Sequence, residues 1–144
     1  MRGFLLPVIT SRENTGMVAL TEQQVEILNG RHFATVATVN PDGSPEATVV
    51  WIETDGTYIY FNTAFPRLKA RNLERDPRVA ITVFDPKHPY DDVLAIRGRA
   101  ELIREGADQH IDKLSRMYDG KPFTFRRGQI RVIVKVTPER IHVQ

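Results

Sequence analysis

The sequence predicts a mainly β chain of the α+β class: six antiparallel strands closed as a small barrel, with short flanking helices. Three observations predict this. Short runs rich in β-branched and aromatic residues recur along the chain. Turn dipeptides with a known backbone mechanism separate the first of them. The helical segments are too few and too short for repeated strand–helix–strand crossovers, so the strands pair with chain neighbours.

The elements follow in order. Residues 1–19, beginning MRGFLLPVITSRENTG, hold a short apolar piece interrupted by Pro7 and no small-residue cleavage site, so they read as an N-terminal arm rather than a secretory signal. The domain is expected over residues 20–144. LTEQQVEILNG places Thr21 three residues before Gln24, a capping-box pattern. Val25, Ile27 and Leu28 give this helix its apolar face, and Gly30 suits its end. FATVATV is the first strand, ATVVWIET the second and TYIYFNT the third. NPDGS lies between the first two, with proline presetting φ and glycine accepting positive φ. Asp55-Gly56 lies between the next two, a hairpin signal.

A short basic helix then runs to Asp76-Pro77, because the residue before proline is pushed out of the α region. RVAITVF is the fourth strand and DPKHPYDD a polar loop. VLAIRGRAELI is the fifth strand, and Gly98 inside it predicts a bulge or a close backbone approach. EGADQHIDKLSRMYDG is a helix with Ala107, Ile111, Leu114 and Tyr118 on one side. QIRVIVKVTPERIHV is the sixth strand, with a break expected at Pro138.

Composition narrows the function. The chain has 144 residues, one domain's worth, with 41% hydrophobic and 26% charged residues. It has no cysteine, which excludes disulfides, thiolate catalysis and cysteine-bound metals. The four histidines never pair at helical spacing, so no local metal motif exists. Glycine-rich nucleotide loops are absent, as is a G-x-S-x-G elbow. The formal net charge is only +2, which argues against a nucleic-acid partner. No apolar run is long enough to span a membrane. The expected setting is cytoplasmic. With no protein nucleophile in view and no catalytic residue assigned, a bound cofactor is expected to supply any chemistry.

The stretch FPRLKARNLERDPR stands out. Five cations (Arg67, Lys69, Arg71, Arg75, Arg78) face two anions (Glu74, Asp76). Cations in the first turns of a helix oppose its dipole. They make sense if an anion sits among them, or if they simply reach into water. Arg67 and Lys69 converge on one anion only if Arg67 lies in the loop before the helix, which Pro66 favours. Asn62 and Thr63, at the preceding strand end, would add an amide and a hydroxyl. Arg126, Arg127 and Arg131 form a second basic cluster, either a support for an anionic ligand tail or a solvated strand edge. Trp51 reads equally as a core aromatic or a surface for stacking a ring.

Taken in order and spacing, FATVATVNPDGSPEATVVWIE, NTAFPRLKARNLERDPRVAITV, HPYDDVLAIRGRAELI, GADQHIDKLSRMYDG and RVIVKVTPERIH resemble the pyridoxamine 5′-phosphate oxidase-like superfamily. Within it the chain is most similar to the deazaflavin (coenzyme F-420)-dependent oxidoreductases. The resemblance runs from Leu20 to Val143. It implies a split β-barrel homodimer with cofactor sites at the subunit interface. It implies that Thr48, Val49 and Val50 lie along the cofactor ring, that Asn62 and Thr63 approach its ribityl chain or phosphate, and that Arg67 and Lys69 hold the phosphate with Arg71 nearby. Tyr90 is expected to reach the site from the partner subunit. Family members often carry glycine and two basic residues before the lysine; this chain has Pro66, Arg67 and Leu68 there. The implied activity is hydride transfer from reduced F-420 to an unsaturated or conjugated small molecule. FMN is the alternative cofactor, since both ligands share the ring, ribityl chain and first phosphate. A non-catalytic flavin or deazaflavin carrier is a third reading.

Overall fold

The computed structural model describes residues 16–143. The described elements are α1 (Glu22–Leu28), β1 (Ala34–Val39), β2 (Pro45–Val50), β3 (Glu53–Thr54), β4 (Ile59–Phe65), α2 (Leu68–Arg75), β5 (Arg78–Val83), β6 (Leu94–Ile103), α3 (Ala107–Asp119) and β7 (Ile130–Val143). The seven strands form one antiparallel sheet in the order β2-β1-β5-β6-β7-β4-β3. The expected arm lies outside the described residues as far as residue 15; beyond it, Val18 N–H donates to the Pro138 carbonyl at 2.8 Å.

Local signals behave as their chemistry requires. Thr21 and Gln24 close the capping box at the start of α1. Gly43 and Gly56 take positive φ in the two turns. The bulge expected at Gly98 is a register shift between Arg97 and Gly98 against β7. A Cβ on Gly98 would stand 2.3 Å from the Thr137 carbonyl oxygen, so only glycine lets the two backbones meet.

Two expectations are corrected. The described residues hold seven strands rather than six, because ATVVWIET divides at Trp51 and Ile52. The cause lies far along the chain. The Tyr118 hydroxyl accepts from Ile52 N–H at 3.0 Å and lies 2.9 Å from the Ile52 carbonyl and 2.8 Å from that of His32. A side chain of α3 thus satisfies the backbone groups that a strand neighbour would otherwise need. The second correction is Pro138, where β7 continues without a break to Val143. The Pro138 nitrogen lacks a donor, but it falls opposite Gly98 at the register shift, where the ladder is already irregular.

Because β2 and β3 are opposite ends of the sheet and only Trp51 and Ile52 separate them, the sheet must curl until its ends approach. The result is a half-barrel with a split between those ends. Its inner face buries Val36, Ile52, Ile59, Phe61, Ile81, Ile96, Val134 and Val136. Helix α2 packs on β1 and β4. The buried Asn72 ties it down by donating to the Thr38 hydroxyl at 3.1 Å and to Asn40 Oδ1 at 2.9 Å. Helix α3 lies over β4 and β7. The cleft described next opens between these elements.

Candidate anion-binding cleft

The cleft begins where β4 ends. After Phe65 and Pro66 the chain turns, and Arg67 adopts extended geometry (φ −62°, ψ 151°) as the N-cap of α2. Arg67 therefore sits outside the helix, the condition under which it and Lys69 can serve one anion. No side chain among the described residues caps this terminus. The first intrahelical bond runs from Arg71 N–H to the Arg67 carbonyl, which leaves the amides of the first turn open to a ligand.

Arg67, Lys69 and Arg131 line a cleft of about 580 Å³ together with Val49, Val50 and Asn62. Lys69 is 8% exposed and Arg131 7% exposed, and neither forms an ion pair among the described residues. Burial, reinforced by repulsion from Arg67 and Arg131, pushes the Lys69 ammonium down to about 8. Burial, then the Arg67 charge, pushes Arg131 down to about 10 against the opposing field of Asp108. Two buried cations without counter-ions are costly, and an anion in the cleft removes that cost.

Arg131 is held from behind. Its Nε donates to Asn62 Oδ1 at 2.9 Å, and its guanidinium lies over the Phe123 ring, 5.0 Å from the centroid. Asn62 Nδ2 in turn contacts the Ala107 carbonyl at 3.1 Å and His110 Nδ1 at 3.0 Å. His110 Nε2 is 2.9 Å from Glu53 Oε2, and Lys113 Nζ is 2.9 Å from Glu53 Oε1. Burial raises the Glu53 carboxyl, but hydrogen bonds from His110 and Lys113 and the Lys113 charge outweigh it, so Glu53 sits below the usual carboxylate range.

The anticipated residues are distributed unevenly. Val49, Val50, Asn62, Arg67 and Lys69 come together on the cleft wall. Trp51 joins them and stacks on Tyr118, with centroids 5.6 Å apart. Thr48 and Thr63 lie off that wall, but their hydroxyls are the buried side-chain oxygens that lack any partner among the described residues. Arg71 is exposed on α2, and Tyr90, 90% exposed, stands on the loop before β6. His110 and Glu53 were not anticipated as parts of the site, and Arg131 was anticipated only within the cluster of Arg126, Arg127 and Arg131, as a support for an anionic tail or a solvated strand edge. One signal could have found Arg131: it shares the β7 face of Ile133, which alternation turns away from the barrel core and towards amphipathic α3.

The donor set fits a ligand with an anionic end and a flat apolar body. The anion would meet Lys69, Arg131, Arg67 and the free amides of α2. The body would lie against the Val49–Trp51 strand.

A family model described as pyridoxamine 5′-phosphate oxidase matches residues 20–144. A solved F-420 reductase is 32% identical, with TM-score 0.75, covering 85% of this chain and 98% of its own. A conserved hypothetical protein from Mycobacterium tuberculosis is 28% identical with TM-score 0.69, covering 89% of this chain and 86% of its own. General Stress Protein 26 from Bacillus anthracis is 18% identical with TM-score 0.63, over 81% of this chain and 87% of its own, a likeness of fold alone. With its half-barrel, its buried cationic cleft and a family match over nearly the whole described chain, this protein belongs to the pyridoxamine 5′-phosphate oxidase family, a superfamily of flavin-binding oxidoreductases.

Proposed function

We propose that the protein is an oxidoreductase that uses reduced coenzyme F-420 to reduce an unsaturated or conjugated small molecule. The observation that carries this reading is the pair of buried, unpaired cations, Lys69 and Arg131, in one cleft with the apolar strand segment Val49–Trp51. The similarity to an F-420 reductase at 32% identity favours the deazaflavin over FMN.

Each residue has a role in this reading. Lys69 and Arg67 bind the phosphate with the first-turn amides of α2, and Arg131 adds a planar donor edge. Arg71 contributes positive field from the exposed side of the same helix. Val49 and Val50 exclude water from one face of the ring, and Thr48 with its strand backbone orients the ring edge. Asn62 and Thr63 serve the polar chain between ring and phosphate. Tyr90 closes the site from the second subunit of a homodimer. Bound in this way, reduced F-420 supplies the hydride, while the protein contributes binding, orientation and a dry wall.

The test is turnover. Reduced F-420, purified protein and a panel of conjugated acceptors are mixed, and the return of the oxidised deazaflavin absorbance is followed. Acceptor-dependent oxidation supports the reading. Binding without oxidation by any acceptor favours the carrier, and turnover with reduced FMN alone moves the chain to the flavin branch.

A further inference from the structure

We infer that His110 is a positioning residue for the anion site, acting through Asn62 on Arg131. The inference rests on the reading of the cleft as an anion site. Asn62 has every polar atom engaged: Nδ2 with the Ala107 carbonyl and His110 Nδ1, Oδ1 with Arg131 Nε. The reversed amide would set oxygen against the Ala107 carbonyl and an NH₂ group against Arg131 Nε–H, so the network admits one orientation. An amide nitrogen only donates. His110 Nδ1 must therefore be a bare acceptor, and the ring proton sits on Nε2, donated to Glu53 Oε2 at 2.9 Å. Lys113 holds the other Glu53 oxygen at 2.9 Å. Tyr60 meets the imidazole edge-on, centroids 6.4 Å apart, and its hydroxyl is engaged with Asp55 Oδ2 at 2.9 Å rather than with His110.

The consequence reaches the cleft. Asn62 fixes one edge of the Arg131 guanidinium and Phe123 fixes one face. Nη1 lies 3.4 Å from Gln129 Oε1, and Nη2 has no partner among the described residues. Arg131 lines the cleft with that nitrogen unengaged. Without the His110 acceptor, Asn62 Nδ2 keeps only the Ala107 carbonyl, and the amide that aims Arg131 is held by one bond fewer.

The test separates an acceptor at Nδ1 from mere bulk. His110→Asn places an amide oxygen near the former Nδ1, whereas His110→Gln places its amide near the former Nε2. In nitrogen-15-labelled protein without ligand, the Arg131 Nε–H resonance, assigned by its loss in Arg131→Lys, is expected to be protected from exchange in wild type and His110→Asn but not in His110→Gln. Inorganic phosphate, titrated against each protein, is expected to bind about tenfold more weakly to His110→Gln, while His110→Asn stays within about twofold of wild type. Long-range nitrogen–proton spectra of the unaltered protein need no variant and must show the Nε2–H tautomer. A Nδ1–H tautomer overturns the inference, as do equal phosphate affinities in all three proteins. A wild-type protein that ignores phosphate overturns the anion-site reading itself, a distinct result, because the tautomer and the Arg131 resonance are read without ligand.

Discussion

Lys69 links burial, charge and ligand at the scale of one residue. Its folded pKa of about 8 lies below the ordinary value of 10.5. Between those values the unfolded chain binds more protons than the folded one, so the stability of the ligand-free protein rises as pH climbs through that window. Anion binding runs the other way, because it needs the ammonium charged. Affinity for FMN or F-420 is therefore expected to fall as pH rises through about 8, and Lys69→Met should abolish that break. Binding titrations across roughly pH 7 to 10 check this, and a wild-type profile as flat as that of Lys69→Met would contradict it. Lys69 was legible in the sequence as a cation near a helix start. Arg131 was legible only as one of three clustered arginines, an anion support or a solvated strand edge, because its burial depends on the fold that brings α3 and Phe123 over it. His110 and Glu53 were illegible for the same reason: 57 residues separate them, and only the fold makes them partners.

Elements position these groups, and their local chemistry was largely readable. The capping box of α1 and the turns at Gly43 and Gly56 depend on residues within a few positions, and the bulge at Gly98 is marked locally by its glycine although its partner is distant β7. The division of one predicted strand into β2 and β3 depends on Tyr118, 66 residues beyond Ile52, and no local pattern encodes that. Two predictions belong at this scale. Gly98→Ala forces a Cβ into the Thr137 carbonyl and is expected to cost about 1–3 kcal/mol, read as a lowered denaturation midpoint. An unchanged midpoint would mean that the two strands are not in such close contact. Val50→Asp sets a charge on the wall proposed for the ring and should weaken ring binding sharply while leaving inorganic phosphate binding intact. Normal affinity for both cofactors would overturn the placement of the ring along β2.

The whole molecule carries a formal charge of only +2, yet its cleft concentrates Arg67, Lys69 and Arg131. Anion binding here is a property of placement rather than of the total field. Phe33 and Val49, each 64% exposed, leave apolar surface at the cleft rim. A second copy would cover such a surface, and the proposed homodimer predicts sedimentation at about twice the chain mass of 16.4 kDa. A particle of single-chain mass at micromolar concentration would remove the partner role proposed for Tyr90.

In the proposed function this cleft holds the phosphate end of a deazaflavin. The most direct test of that placement is a parallel fluorescence-quenching titration of wild type and Lys69→Ala with F-420 and with FMN. Wild type is expected to bind F-420 more tightly than FMN, and removal of the ammonium is expected to cost about 1.5–3 kcal/mol in F-420 binding. Equal F-420 affinity in the two proteins would contradict the placement, because the phosphate would then lie away from Lys69.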